Sequence, residues 1–340
     1  MPNFTLPIRL LLLALVLGGA FLGGRYLAGN QASPAGVPAA ATPAGPAATV
    51  PTTPVAPVAP STSSTGVDST SRMAFTYLPP EPVGGKLRGV VELGASGFNS
   101  FIVRTDAENR WKLYKAAYDN SLIMENMASD DDIRRGLRAY IVQMLDYGVS
   151  GHDIHFVVSS GAAIAHDTHR IIRNLGSMGY VVNIMTAARE GALGLHVALP
   201  PLYADKAFVV DIGSGSTEIS WLLAGVPQSV ETYGSKYFEQ GMDGAMVASD
   251  VLTKASQVPL RLRKTCFIIG GVPYELAKRL RKGKERYTVL AAPQAYHIDN
   301  AKTKAGLSIY QTIAETTGCQ QFVFDWDANF TIGYLLALPQ

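Results

Sequence analysis

Asp211 and Glu218 bracket a glycine turn. The stretch from Ala207 to Leu222 reads AFVVDIGSGSTEISWL: an apolar run, an acid, Gly213-Ser214-Gly215-Ser216-Thr217, a second acid and a second apolar run. Glycine-rich turns expose backbone N–H groups that make a nest for an anion. An acid beside such a nest holds Mg²⁺ or orients a water. Together they form a grip for a phosphate group and its metal. The same order occurs about 120 residues earlier, where Glu92 follows Val90-Val91, and Gly94, Ala95, Ser96 and Gly97 lead into FNSFIVR. One such hairpin means little, because glycine turns are common. Two with the same acid–glycine order point to a duplicated half whose copies face each other across a cleft. Asp211 and Glu92 are then the expected metal ligands. Gly94, Ser96, Gly213, Ser214, Gly215, Ser216 and Thr217 are the expected phosphate cradle. The plain alternative is that each acid only closes its own strand turn.

Three further groups of residues bear on the same chemistry. Glu190 opens a helical pattern, where it can cap the positive end of the helix. Ser159-Ser160-Gly161 stands at a strand end before a helix; an anion can sit there, although an ordinary cap is the commoner use of such residues. The histidines at 152, 155, 166 and 169 form two i,i+3 pairs. The sequence places no third ligand for zinc beside them, so loop and helix-surface roles are expected.

The order of these segments resembles the Ppx/GppA exopolyphosphatase and guanosine-pentaphosphatase family, within the actin-like ATPase fold. Val91 to Phe98, VELGASGF, is similar to that family's V-D-L-G-S-N-S-F loop, and Asp211 to Glu218, DIGSGSTE, to its D-I-G-G-G-S-T-E loop. Ala187 to Ala192 falls where the family has S-G-x-E-E-A, and Ile268 to Val272 where it has a third glycine segment. The resemblance spans about 88 to 340 and implies two lobes around a cleft, a phosphoanhydride ligand such as polyphosphate or a guanosine tetra/pentaphosphate-type nucleotide, and Mg²⁺. It also implies roles. Asp211, Glu218, Glu92 and Glu190 stand at or beside the positions of catalytic acids, Glu190 as a substitute base or only a helix cap, and Gly270 and Gly271 stand in the third glycine segment and join the phosphate cradle. Several positions depart from the pattern. The first-loop aspartate is Glu92; the family's catalytic glutamate, second of the E-E pair, falls at Gly191; its phosphate-binding arginine falls at or beside Ala163; and the third turn has Val272 and Pro273. Loss of a positioned base typically costs about 10²–10⁴ in rate, so these departures imply a weakened enzyme or a binding domain.

The elements that carry these residues alternate. Short Val/Ile runs predict strands at 88–93, 98–105, 110–118, 153–159, 180–186, 206–212, 217–224, 227–233, 264–270 and 320–325. Helical patterns fall at 130–147, 163–177, 188–199, near 236–256, 273–283 and 298–317. Strands alternating with helices give an α/β fold, here expected as two actin-like (ribonuclease H-like) lobes, 72–200 and 201–340, with a central cleft. Trp111, Trp221 and Trp326 lie in or beside strands and are expected in the core or at its rim.

What precedes the lobes is of another kind. Leu10 to Gly24 is uncharged, flanked by Arg9 and Arg25, and a little short of the roughly 20 residues that cross a bilayer. Residues 1–28 are read as a signal anchor, or as a cleaved signal peptide in the alternative. Gly19-x-x-x-Gly23 has the spacing of a helix pair, and so of a homodimer, although glycine-rich leaders are common and that is the plainer reading. Residues 29–71, rich in Ala, Pro, Thr and Ser, cannot bury a core and are expected as a disordered tether. Its reach is on the order of 100 Å if extended at roughly 3.1 Å per residue. The charge flanking the leader places the lobes outside the cytoplasm. A net charge of +2 excludes strong nucleic-acid binding as a main function. Cys266 and Cys319 make no disulfide framework; a bridge between them would need an oxidising compartment. Three functions stay open: a tethered binder of a phosphoanhydride, an active Mg²⁺-dependent phosphohydrolase, and an envelope scaffold.

Overall fold

Two sheets carry the duplicated halves, the second repeating the strand order of the first with one strand added at its edge. The structure is a computed structural model that describes residues 75–95, 97–120 and 129–339. The expected anchor and tether, 1–28 and 29–71, lie outside the described residues. No helix among the described residues is long and apolar enough to cross a membrane. The first sheet contains β1 (Lys86–Gly94), β2 (Gly97–Thr105), β3 (Trp111–Asn120), β4 (Ile154–Val158) and β5 (Val182–Ile184), in the order β3-β2-β1-β4-β5. The second contains β6 (Ala207–Ile212), β7 (Ser216–Leu223), β8 (Val226–Tyr233), β9 (Thr265–Ile269), β10 (Tyr287–Val289) and β11 (Gln321–Asp325), in the order β10-β11-β9-β6-β7-β8. In each, the leading strand pairs antiparallel with a meander on one side and parallel with a crossover strand on the other. The repeat read from the two hairpins is therefore a repeat of topology. β1 and β6 sit mid-sheet with covered faces, and each carries an apolar run, Val90-Val91 and Ala207 to Val210, just before its acid.

Helices supply the crossovers. α1 (Asp130–Asp146), α2 (Ser160–Ala163), α3 (His166–Ser177) and α4 (Ala187–Ala198) belong to the first half. α5 (Gly244–Ala255), α6 (Gly271–Lys278), α7 (Ala301–Thr317) and α8 (Phe330–Leu336) belong to the second. α1 starts at a reciprocal cap in which Ser129 and Asp132 each bond the other's backbone N–H. α1 and α3 cover the outer face of the first sheet, and α5, α6 and α7 that of the second.

α4 and α8 lie between the sheets. Leu193, Leu195 and Val197 of α4 and Phe330, Ile332 and Leu335 of α8 share one core with Val90, Phe101 and Val157 of the first sheet and Val209, Phe267 and Val323 of the second. The two helices touch closely: a Cβ on Gly333 would lie 2.2 Å from the carbonyl oxygen of Leu193. The end of α8 is held by Arg88, a buried β1 residue whose guanidinium donates to the carbonyls of Leu335 and Pro339. The chain enters across this assembly as a strap. Phe75 packs among Tyr203, Phe267 and Tyr287 of the second half, and Val83 N–H donates to Asp106 of the first at 2.9 Å.

Several elements differ from the sequence expectation. The helix expected near 236–256 begins only at Gly244, because Tyr237–Gln240 forms a 3₁₀ turn that ends at Gly241 in the left-handed region, φ 69°. The helix expected at 163–177 is two, broken at Ile164 and Ala165. The one expected at 273–283 starts two residues earlier and stops at Lys278. β10 and α8 were not anticipated. β10 has three residues, and α8, FTIGYLL, is buried nearly all round and so carries no amphipathic period. Cys266 and Cys319 are both free and buried. Trp221 is in the core; Trp111 and Trp326 lie under the guanidiniums of Arg286 at 4.3 Å and Arg281 at 3.9 Å.

Candidate functional site

A cleft of about 330 Å³ opens where the two hairpin turns meet. It is lined by Glu92, Gly94, Glu190, Asp211, Gly213, Ser214, Gly215, Ser216, Glu218, Gly270 and Gly271, so most of the residues singled out in the sequence converge there. Thr217 does not line it; it is fully buried behind the turn, and its hydroxyl has no partner. Ser96 lies outside the described residues. A larger hollow, about 590 Å³, lies elsewhere, between Tyr77, Trp111, His196 and Tyr287. Its wall is mainly apolar and includes none of the four acids Glu92, Glu190, Asp211 and Glu218.

The strand pairing explains how the acids meet. In the β6–β7 ladder Asp211 stands directly opposite Glu218, and side chains opposite one another share a face. In the β1–β2 ladder the same position pairs Glu92 with Asn99. Glu190 comes from the first turn of α4, whose packing between the sheets aims it at the two hairpins. Its carboxylate accepts from the backbone N–H of Ser160 and from Ser160 Oγ at 3.2 Å. Four carboxylates therefore face one space, and among the described residues none of them has an ion-pair partner. Glu218 Oε1 is buried with no hydrogen bond.

This arrangement works against ionisation. Burial pushes Glu190 up to about 8, against the pull of the Ser160 bonds, and Asp211 and Glu92 add repulsion. Asp211 is pushed up to about 7, first by burial and then by Glu92. Glu218 is raised well above the carboxylate range by burial, then by Asp211 and Glu190. Glu92 is raised by burial, opposed by hydrogen bonds from Asn99 and Asn329. At neutral pH the cluster retains protons that a bound cation would displace.

The 213–216 turn is braced from behind. The carbonyls of Gly213, Ser214 and Gly215 accept from the backbone N–H groups of Ser235, Lys236 and Gly234, none of which lines the cleft. The carbonyl side of the turn thus faces away, and Gly213 N–H closes the turn on Ser216 at 3.0 Å. Gly270, at φ 102°, lets the third turn close on Asp211; a Cβ there would lie 2.6 Å from Asp211 Oδ1. Across the mouth the lobes touch at Gly161 and Gly215, where a Cβ on Gly215 would lie 2.9 Å from the Cα of Gly161.

The donor set fits Mg²⁺. It is all oxygen, it includes one buried carboxylate oxygen without a partner, and Gly270 leaves the room beside Asp211 that a side chain would fill. Among the described residues no three His, Cys, Asp or Glu side chains gather tightly enough to hold a metal by themselves. Mg²⁺ usually takes only one or two carboxylates, with waters and substrate oxygens completing its shell. His152, His155 and His169 do not line the cleft.

Gly191 changes the reading of α4. A Cβ there would lie 1.9 Å from Ser229 Oγ and 2.7 Å from Ser220 Oγ, so this position points into the β7–β8 hairpin and not into the cleft. The acid that α4 offers to the cleft is Glu190. Ala163 packs against the outer core of the first half, and the neighbouring residues that line the cleft are Ser159 and Gly161. Sequence reasoning missed Asn99, Asn329, Lys302 and an aromatic wall that includes Tyr118, Tyr274 and Trp326. Asn99 was within reach, since it lies seven residues after Glu92, as Glu218 does after Asp211.

No protein-family model matches the chain, and no curated protein matches it. Solved structures do. The Ppx/GppA phosphatase of Aquifex aeolicus, in its type II variant, is 15% identical over 74% of this chain and 99% of that one, with a TM-score of 0.55. An exopolyphosphatase from Cytophaga hutchinsonii is 15% identical over 74% and 96%, with a TM-score of 0.57. The chain has a Ppx/GppA-type fold. The acids and glycine turns of its cleft sit on that fold at the facing ends of the two sheets.

Two outcomes are expected. Gly191→Ala forces a methyl against Ser229 and lowers stability by about 1–3 kcal/mol, the usual cost of overpacking; Ser229→Ala in the same chain recovers part of it, as read by urea denaturation. A raised carboxyl favours the native state while it stays protonated, so its contribution is full below the unfolded value and lost as pH rises through the folded one. Asp211→Asn and Glu190→Gln therefore raise the melting temperature over the parent at pH 8 to 9, and the gain shrinks toward pH 4.5. Equal melting temperatures across that range would show that the acids are not held against ionisation.

Proposed function

We propose that the chain is a divergent member of the Ppx/GppA family, with two actin-like lobes, and that its cleft binds and hydrolyses a terminal phosphoanhydride with Mg²⁺. Polyphosphate or a guanosine tetra/pentaphosphate-type nucleotide is the ligand class. The observation that carries this reading is the convergence of Glu92, Glu190, Asp211 and Glu218, from both lobes, on a space walled by three glycine turns. The glycine turn at 213–216, which lines the cleft, holds the transferred phosphate. Asp211 and Glu92 would hold the metal, which supplies charge neutralisation for the phosphate oxygens. Glu190, held by Ser160 and raised to about 8, takes the proton of the attacking water, and Glu218 orients it. A base with a value near the working pH suits general catalysis.

A second reading, binding without turnover, rests on a separate observation. Lys302 is the one cation among the described residues lining the cleft, and the lining includes no arginine. Phosphate sites commonly use the bidentate guanidinium for charge. We further propose that residues 1–28 anchor the chain in a membrane and that 29–71 tether the lobes outside the cytoplasm.

With long-chain polyphosphate and Mg²⁺, the chain is expected to release phosphate, with a rate that rises toward pH 8. Glu190→Gln should lower it about 10²–10⁴-fold, and Asp211→Asn should abolish its Mg²⁺ dependence. Absence of release, with polyphosphate still raising the melting temperature, would select the binding reading. A reporter fused after residue 340 should be active only outside the cytoplasm; activity inside would overturn the tethered topology.

A further inference from the structure

Glu92 is longer by one methylene than the aspartate its loop resembles, so its carboxylate has one more torsion to be fixed. Two amides fix it. Asn99 donates Nδ2 to Glu92 Oε2 at 3.0 Å, and Asn329 donates Nδ2 to the same oxygen at 3.1 Å from 237 residues away. Asn329 is held in the orientation this requires. Its Oδ1 accepts from Thr331 N–H at 2.8 Å and from Thr331 Oγ1 at 2.6 Å, which turns its NH₂ toward β1. Asn329 is also the N-cap of α8, the helix wedged between the sheets, so its amide cannot shift without that core. The free oxygen, Glu92 Oε1, lies over the first turn, 3.1 Å from where a Cβ on Gly94 would be.

We propose that Asn329 is a positioning residue: by holding Glu92 Oε2 it keeps Oε1 over Gly94, facing the space between the glycine turns. This rests on the reading of that space as the phosphate and Mg²⁺ site. The two uses of Asn329 are chemically separable. The cap uses Oδ1 and the grip uses Nδ2. Serine and aspartate both cap helices well, yet neither carries the amide donor.

The test uses the full chain with Asn329→Ser and Asn329→Asp. Three quantities are read: the metal-free melting temperature, the Mg²⁺ concentration that half-maximally raises it, and the crystal structure of the variant. A capping role alone predicts parent values for all three. Positioning predicts a nearly unchanged metal-free melting temperature for Asn329→Ser and a Mg²⁺ requirement raised about 10- to 100-fold, the usual effect of removing an outer-shell partner. It predicts a larger loss for Asn329→Asp, which sets a like charge against Glu92, and a Glu92 carboxylate displaced from Gly94. An unchanged Mg²⁺ requirement in both variants, or a carboxylate still over Gly94, overturns the proposal. Should Asn329→Ser fail to fold, Asn329→Asp carries the same measurements. If the parent neither releases phosphate nor responds to Mg²⁺, the phosphohydrolase reading falls, and the variant structure decides alone: a displaced Glu92 sustains positioning, and an unmoved one refutes it.

Discussion

The contact between α4 and α8 is the constraint on which the site depends. Gly333 brings α8 against the Leu193 carbonyl, a distance no other residue would allow, and the paired helices then fill the space between two sheets that each half could not cover alone. Each helix delivers one functional group as a result. α4 presents Glu190 from its first turn, and α8 presents Asn329 from its cap. Arg88 ties the far end of α8 to β1, the strand that carries Glu92. The cleft therefore inherits its rigidity from the core directly beneath it.

The cleft itself is electrostatically unfavourable. Four carboxylates face one another with hydrogen bonds from Ser160, Asn99 and Asn329 as partial compensation. Buried acids without cations retain protons instead of charging, and that is what burial and mutual repulsion impose on Glu190, Asp211 and Glu218. Sites that violate the ordinary rules of core composition are commonly functional, and the surrounding fold supplies the stability they withhold. A divalent cation would reverse the local balance, and a phosphate group would bring it.

How much of this was legible varied from residue to residue. The acid–glycine hairpins at 92 and 211 were readable because a strand, a turn and a second strand are local and their order repeats. The parallel strands were readable as apolar runs. α8 was not, because burial on every side erases the amphipathic period, and the 3₁₀ turn at Tyr237–Gln240 was hidden inside a stretch of helix-compatible composition. Which side of α4 faces the cleft was not legible. Adjacent helical residues differ in direction by about 100°, so only the packing against Ser220 and Ser229 distinguishes Glu190 from Gly191.

The sequence alone determined the α/β class, the duplicated hairpins and the kinds of residue at their turns, since these follow from short-range periodicity and from the conformational freedom of glycine. It determined that Asp211 and Glu218 bracket one tight turn, and across such a turn the antiparallel ladder sets them opposite each other. Only the tertiary structure decided that the two hairpins meet, that Glu190 joins them, and that an amide from the last helix holds Glu92. Those contacts join residues up to 237 positions apart, and they exist because two sheets close on a shared pair of helices, a long-range packing that no local pattern encodes.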